Sequence, residues 1–415
     1  MRTAKRLEGI GEYYFSQKLR EIDQLNKEGR NIISLGIGSP DLPPHPDVIK
    51  VLQEECARPN VHAYQSYKGS PVLRKAISNW YTDWYGVNLN SDTEILPLIG
   101  SKEGIMHICM TYLNEGDKAL IPNPGYPTYN SAVRLAGASP LVYHLRSENA
   151  WHPNLEELNA LDISGVKLMF INYPHMPTGQ LPIPEKLQAL VDWCAAKDIL
   201  LVHDNPYSFI LNEHPFSLLS LKNAKPNVIE LNSLSKSLNM AGWRVGLIAA
   251  DETHINHILR FKSNMDSGMF LPVQLAAAKA LTLDKNWYAD LNMVYAKRRM
   301  KVFELLDLLN CSYETGQAGM FVWAKVNDQF GNDHSLGKGG ALSDKVLYDA
   351  NVFITPGGIF GDAGRDYVRV SLCATKEKIS ESIARIKAFC IASGTHFGSV
   401  ILSVSEGSPD RERFD

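Results

Sequence analysis

The residues best placed to do chemistry run from Asn232 to Gly246, Asn-Ser-Leu-Ser-Lys-Ser-Leu-Asn-Met-Ala-Gly-Trp-Arg-Val-Gly. Ser233, Ser235, Lys236 and Arg244 fall within this stretch, just after an apolar run that reads as a buried strand. Hydroxyls and a guanidinium bind an anion such as phosphate, and a lysine desolvated among cations becomes an amine nucleophile toward an aldehyde. Taken singly, Lys236 and Arg244 read as solvated surface charges; the constellation reverses that reading. In Leu200-Leu201-Val202-His203-Asp204-Asn205-Pro206-Tyr207 an apolar strand ends in an acid, with a phenol three residues on. Asp204 suits a turn or helix cap, or else a carboxylate that keeps a heteroaromatic nitrogen protonated by a direct charge pair. Gly100-Ser101-Lys102-Glu103 is a turn between strand and helix whose free N–H groups suit phosphate. Tyr126, in Asn123-Pro-Gly-Tyr-Pro-Thr-Tyr129, follows another strand end and suits stacking on a flat ring or simple packing.

Other motifs fail their context. Gly36-Ile-Gly-Ser-Pro-Asp41 begins like a dinucleotide fingerprint, but Asp replaces the third glycine and prolines follow where a helix belongs. Gly331 to Lys338 resembles a phosphate-binding P-loop, yet Gly339 stands where Ser or Thr is required. Twelve histidines include no His-Glu-x-x-His, and six widely spaced cysteines include no Cys-x-x-Cys. Neither a metal centre nor a disulfide framework is expected, and the cysteines fit a reducing compartment.

The elements that must hold these residues alternate. Residues 12–28 form an amphipathic helix and Ile32–Leu35 a short strand. Strands are expected at Thr93–Ile99, Ala119–Ile121, Leu141–Leu145, Lys167–Asn172, Ile199–His203 and Asn227–Leu231, with helices between them. Repeated β-then-α order predicts an α/β fold with a large, mostly parallel sheet of the seven-stranded type, covered by helices on both faces. A long helical stretch, Pro272–Leu309, leads to a smaller α+β unit with strands Met320–Val326, Asn351–Thr355 and Tyr367–Leu372, joined by the N-terminal segment. The expected division is an arm and part of the small domain at 1–44, a large domain at 45–290, a small C-terminal domain at 291–390, and a loosely attached tail at 391–415.

With 415 residues and 45% hydrophobic, 21% charged residues, the chain can bury a sizeable core and is too apolar for disorder. A net charge of −3 gives no reason to expect nucleic acid or an anionic membrane as partner. No run approaches a membrane span, and the basic start runs into acidic residues rather than a secretory signal. A cytoplasmic enzyme is expected.

From about Leu35 to Phe389 the chain resembles a class I/II aminotransferase of the pyridoxal-phosphate fold type I superfamily. The Ser-x-Ser-Lys…Gly-Trp-Arg segment carries the resemblance, together with its order relative to Pro177-Thr-Gly179, Asp204-x-x-Tyr207 and the late Arg369. The resemblance implies that Lys236 carries pyridoxal 5'-phosphate as a Schiff base and then shuttles a proton, and that Asp204 pairs with the pyridinium nitrogen. It implies that Tyr207 donates to the ring hydroxyl and that Tyr126 stacks on the ring. Ser101, Lys102, Ser233, Ser235 and Arg244 would hold the phosphate, the first two chiefly through backbone N–H groups. Tyr64 matches the tyrosine that reaches the phosphate of a neighbouring subunit, so a homodimer with shared active sites is implied. Arg369 matches the arginine that grips the substrate α-carboxylate in a fork, aided by the Gly38 N–H. Side-chain specificity would depend on Ile37, Asn264–Phe270 and Gly319–Trp323.

The family usually carries Asn immediately before Pro-Thr-Gly, donating to the ring oxygen; here Met176 stands in that place and cannot donate. His175 and Asn172 are the adjacent substitutes. The implied activity is ping-pong transfer of an amino group from an L-amino acid to a 2-oxo acid, with glutamate and 2-oxoglutarate as one couple. The resemblance leans toward the branch with LL-diaminopimelate, alanine and aspartate aminotransferases. Rival readings are a C–S β-lyase or decarboxylase on the same cofactor, and a non-catalytic regulatory protein of the same fold.

Overall fold

The computed structural model describes residues 2–327 and 334–393. Gly331 of the P-loop-like segment, and the tail beyond residue 393, lie outside the described residues. In chain order the strands are β1 (Ile33–Ser34), β2 (Ile95–Leu98), β3 (Lys118–Asn123), β4 (Ser139–His144), β5 (Val166–Ile171), β6 (Leu200–Asp204), β7 (Val228–Ser233) and β8 (Gly246–Ala249). They continue with β9 (Cys311–Tyr313), β10 (Phe321–Val326), β11 (Val352–Phe353), β12 (Thr355–Pro356) and β13 (Tyr367–Ser371).

Seven strands form the large sheet in the order β2-β8-β7-β6-β5-β3-β4. All neighbours are parallel except β8, which runs antiparallel to both β2 and β7. Alternation along each strand sends successive apolar residues to opposite faces. Leu168, Phe170, Val202, Ile229 and Leu231 pack into one core with the helix Ser101–Tyr112. Met169, Ile171, Leu201 and Val228 pack into another with the helices Pro71–Tyr85 and Pro184–Ala196. The strands therefore read as unbroken apolar runs because both of their faces are covered. Chain order reverses at β3, which has β4 on one side and β5 on the other, and α/β sheets bind ligands beyond the carboxyl ends of strands near such a point.

A four-stranded antiparallel sheet, β12-β13-β10-β9, builds the smaller unit, and β1 pairs in parallel with β11 to tie the N-terminal segment to it. Arg369 sits in the middle of this sheet, opposite Trp323 on β10 and Thr355 on β12.

Three details differ from the sequence expectation. The long stretch 272–309 is two helices, Leu271–Ala280 and Lys285–Leu308, because Asp284 caps the second by accepting from the N–H groups of Asn286 and Trp287. Ile391, assigned to the tail, is instead part of the last helix, Lys376–Ser393. Strands β8 and β9 were not anticipated; β8 itself begins with Gly246, just after the Lys236–Arg244 segment, and its apolar run is too short to stand out. Among the described residues no helix is long and apolar enough to cross a membrane.

Candidate active site

The carboxyl ends of β6 and β7, the start of the helix Ser101–Tyr112, and the small sheet enclose a cavity of about 320 Å³. Ser101, Lys102, Ser233, Ser235 and Arg244 line one end. Gly100 enters the helix at φ +85, and a Cβ there would lie 2.1 Å from Arg244 Nη2. A Cβ on Gly246 would lie 2.5 Å from the Ser101 backbone nitrogen. The two glycines let the guanidinium, the helix N-terminus and the β7–β8 turn converge, a cradle of donors suited to phosphate. Arg244 itself takes a left-handed conformation, φ 59 and ψ 57, which costs a non-glycine residue about 1 kcal/mol and recurs at functional positions.

Asp204 ends β6, buried, with Oδ2 accepting from the Tyr129 hydroxyl at 3.0 Å. Its Oδ1 is buried without a partner. Burial pushes the carboxyl up to about 6, partly opposed by the Tyr129 hydrogen bond. An unpartnered carboxylate oxygen facing a cavity suits a protonated ring nitrogen, and with the phosphate cradle it fits pyridoxal phosphate. Tyr126 precedes the helix Pro127–Leu135 and packs edge-on to Tyr129 with ring centroids 5.6 Å apart. Tyr207 is buried on the same cavity, edge-on to Phe321 at 6.0 Å.

Lys236 crosses toward the N-terminal segment, its Nζ donating to the Gly38 carbonyl at 2.7 Å. Burial holds its ammonium below the ordinary lysine range, and Arg369 and Arg244 push the same way, so a neutral amine is more accessible than on a surface lysine. Arg369 lies opposite, only 4% exposed. Its Nη2 donates to the Gly36 carbonyl at 3.0 Å and its Nη1 to the Met176 sulfur at 3.3 Å, while Nε has no partner. The guanidinium carbon is 3.8 Å from the Phe321 ring centroid, 4.7 Å from Phe360 and 5.5 Å from Phe15. No carboxylate pairs with it among the described residues, and burial lowers its pKa to about 10.

Of the residues singled out in the sequence, Ile37 and Gly38 also line the cavity; Tyr64 does not, and is 92% exposed. From Gly319–Trp323 only Phe321 reaches it, and none of Asn264–Phe270 does. Of the groups suggested as substitutes for the missing Asn, one lies outside the cavity and the other is otherwise engaged. His175 is buried outside the cavity lining, its Nδ1 2.8 Å from Thr178 Oγ1. The Asn172 amide donates to the Asp204 carbonyl and accepts from the Met176 N–H. Sequence reasoning missed Tyr13, Phe15, Leu19, Tyr129 and Phe360, which all line the cavity. The Tyr13-Tyr14-Phe15 run, three aromatics in a charged stretch, was the available signal for the first two.

The family model for aminotransferase class I and II matches residues 30–386. The LL-diaminopimelate aminotransferase of Halothermothrix orenii is 38% identical over 389 residues, 93% of this chain and 98% of its own. That of Dehalococcoides mccartyi is 37% identical over 391 residues, covering 94% and 99%. Among solved structures, BacF from Bacillus subtilis superposes with a TM-score of 0.89 at 33% identity, covering 96% of this chain and all of that one.

Proposed function

We propose a division of labour for a chain that belongs to the class I and II aminotransferases, pyridoxal-phosphate-dependent transaminases. When bound, pyridoxal phosphate supplies an electron sink for the negative charge left at Cα of an amino acid. Asp204, through its free Oδ1, would hold the proton on the ring nitrogen, and that positive charge would draw the carboxyl back into its ionised range. Ser101, Lys102, Ser233, Ser235 and Arg244 would hold the phosphate, with Tyr126 beside the ring and Tyr207 as donor to the ring oxygen. Lys236 would be the nucleophilic amine that holds the cofactor and the base that moves the proton at Cα. Arg369, with the Gly38 N–H, grips the α-carboxylate.

The observation that carries this reading is the set of buried groups left without a counterpart around one cavity. Asp204 Oδ1 lacks a cation and Arg369 lacks an anion. A buried uncompensated charge costs several kcal/mol, so the pair makes sense as halves of contacts completed by ligands. In solution the amino group moves from an L-amino acid to a 2-oxo acid in two half-reactions, with glutamate and 2-oxoglutarate as one couple. The test is to mix holoenzyme with amino donors, follow loss of the cofactor absorbance, and restore it with 2-oxoglutarate. Release of pyruvate and ammonia from cystathionine without any 2-oxo acid would instead assign a β-lyase.

We also propose a homodimer with shared sites. A Cβ on Gly268 would lie 2.7 Å from the Gln65 carbonyl, and Lys262 Nζ donates to the Tyr67 carbonyl at 3.3 Å, so the loops around 65 and 268 pack as one surface. That surface exposes Tyr64, Tyr67, Met265 and Phe270, an apolar cluster of the kind that subunit contacts cover. Sedimentation of the holoenzyme at micromolar concentration should give twice the chain mass.

A further inference from the structure

The groups around Arg369 define the side chain of the amino donor. The charged residues lining the cavity are Lys102, Asp204, Lys236, Arg244 and Arg369, and all are given work by the aminotransferase reading on which this inference rests. Around the guanidinium, Phe15, Phe321 and Phe360 supply hydrocarbon, and Leu19 and Ile37 add more to the cavity lining. Phe15 comes from the N-terminal helix Tyr14–Lys27, Phe321 from β10, and Phe360 from the short turn Gly357–Phe360. We infer that the donor is a 2-amino acid with a large apolar side chain, aromatic foremost, which lies against these rings while its carboxylate is held by Arg369.

The alternative suggested by the names of the relatives is LL-diaminopimelate, whose far end carries an ammonium and a second carboxylate. Lys102, its ammonium 4.8 Å from the Tyr13 ring centroid, could meet the carboxylate. For the ammonium there is no counter-charge, because Asp204 is the only acid lining the cavity among the described residues. Nearby acids are engaged elsewhere: Asp41 accepts both Arg298 Nη groups, at 2.6 and 2.8 Å, and Glu12 is held by Arg20. The surface proposed to reach a second subunit leaves the balance unchanged. It exposes Tyr64, Met265 and Phe270, and its acid, Asp266, is tied to Lys262 at 2.6 Å. An ammonium pressed against phenyl rings without an acid regains from their faces only part of the hydration it forfeits, and those faces already meet the Arg369 guanidinium, whereas a phenyl group there gains burial and ring contacts.

The test uses holoenzyme and two kinds of measurement. Calorimetry with unreactive carboxylates should show 3-phenylpropanoate binding at least about tenfold more tightly than heptanedioate, the size of step that a hydrophobic subsite gives. Half-reactions followed by cofactor absorbance should give L-phenylalanine a higher kcat/KM than LL-diaminopimelate. In Phe15→Ala the ratio of 3-phenylpropanoate to acetate affinity should fall, since acetate reads the Arg369 contact alone. Tighter heptanedioate, or faster reaction with LL-diaminopimelate, overturns the inference. If no amino acid changes the absorbance, the aminotransferase reading fails, and the carboxylate affinities still decide the nature of the subsite.

Discussion

The cavity joins two ends built on different principles. At the edge of the large sheet, polar groups arrive from strand termini and a helix start, in short runs of neighbouring residues. Across from them a guanidinium is enclosed by phenyl rings contributed by residues 15, 321 and 360. The first arrangement preorganises charge for one constant ligand; the second surrounds a single anchor with surface that only shape and hydrophobicity can read. On the proposed reading, chemistry and specificity fall to different parts of the fold.

Removing the amine from the first end should have the largest effect. In Lys236→Ala both the nucleophile and the base at Cα are gone, and half-reaction rates should fall by at least about 10³-fold, at the upper range for loss of a general base. A residual rate within tenfold of the parent would break the comparison, because it would place the proton transfer elsewhere. At the second end, Arg369→Lys keeps the charge but loses the planar fork and its stacking on Phe321. A loss of about 2–3 kcal/mol, typical of charged hydrogen bonds, should lower kcat/KM by about 100-fold, mostly through KM. An equal fall in kcat with unchanged KM would contradict its role as a binding anchor.

The two ends should also part in their response to pH. In the cofactor-free protein the Asp204 carboxyl titrates at about 6, above the roughly 3.9 of an unfolded aspartate. A raised folded pKa means that its stabilising share is complete below about pH 4 and is lost as pH climbs through 6. Asp204→Asn cannot ionise, so cofactor-free Asp204→Asn should melt above the cofactor-free parent at pH 8, by about 3 kcal/mol in stability, and nearly level with it at pH 4. A gap of the same size at both pH values would show that the substitution acts through packing instead. The same variant should bind pyridoxal phosphate more weakly, because it lacks the negative charge opposite the ring nitrogen.

The contrast also explains what could be read from the sequence. The polar end was legible because its residues are local: Ser233, Ser235, Lys236 and Arg244 follow one strand, and Asp204 and Tyr207 another. The same holds for the large sheet, whose doubly covered strands leave unbroken apolar runs. The apolar end was legible only in part: Ile37 and the Gly319–Trp323 stretch that holds Phe321 were expected to shape specificity on resemblance alone, while Phe15 and Phe360 come from separate stretches and look like ordinary core. Their convergence depends on β1 pairing with β11 and on the register of β13 with β10, which no local pattern encodes. Tyr129 was overlooked for a related reason: its partner Asp204 lies 75 residues away in the chain.

Met176 touches both ends and provides the finest test. Its sulfur accepts from Arg369 Nη1 at 3.3 Å, and its backbone N–H donates to Asn172. Where the resemblance implies an amide donor, this chain offers a side chain that can only accept. We expect Tyr207 to be the sole direct protein donor to the ring oxygen, which leaves the anionic form of that oxygen less stabilised. Restoring an amide in Met176→Asn should therefore lower the pH midpoint of the cofactor's absorbance change by about one unit, a shift on the order of 1.4 kcal/mol. The Asn carbonyl can still accept from Arg369, so acetate affinity should stay within about threefold, well under the effect of a lost charged hydrogen bond. An unmoved midpoint would mean that another group already donates to the ring oxygen, and a collapse in acetate affinity would make Met176 chiefly a support for Arg369.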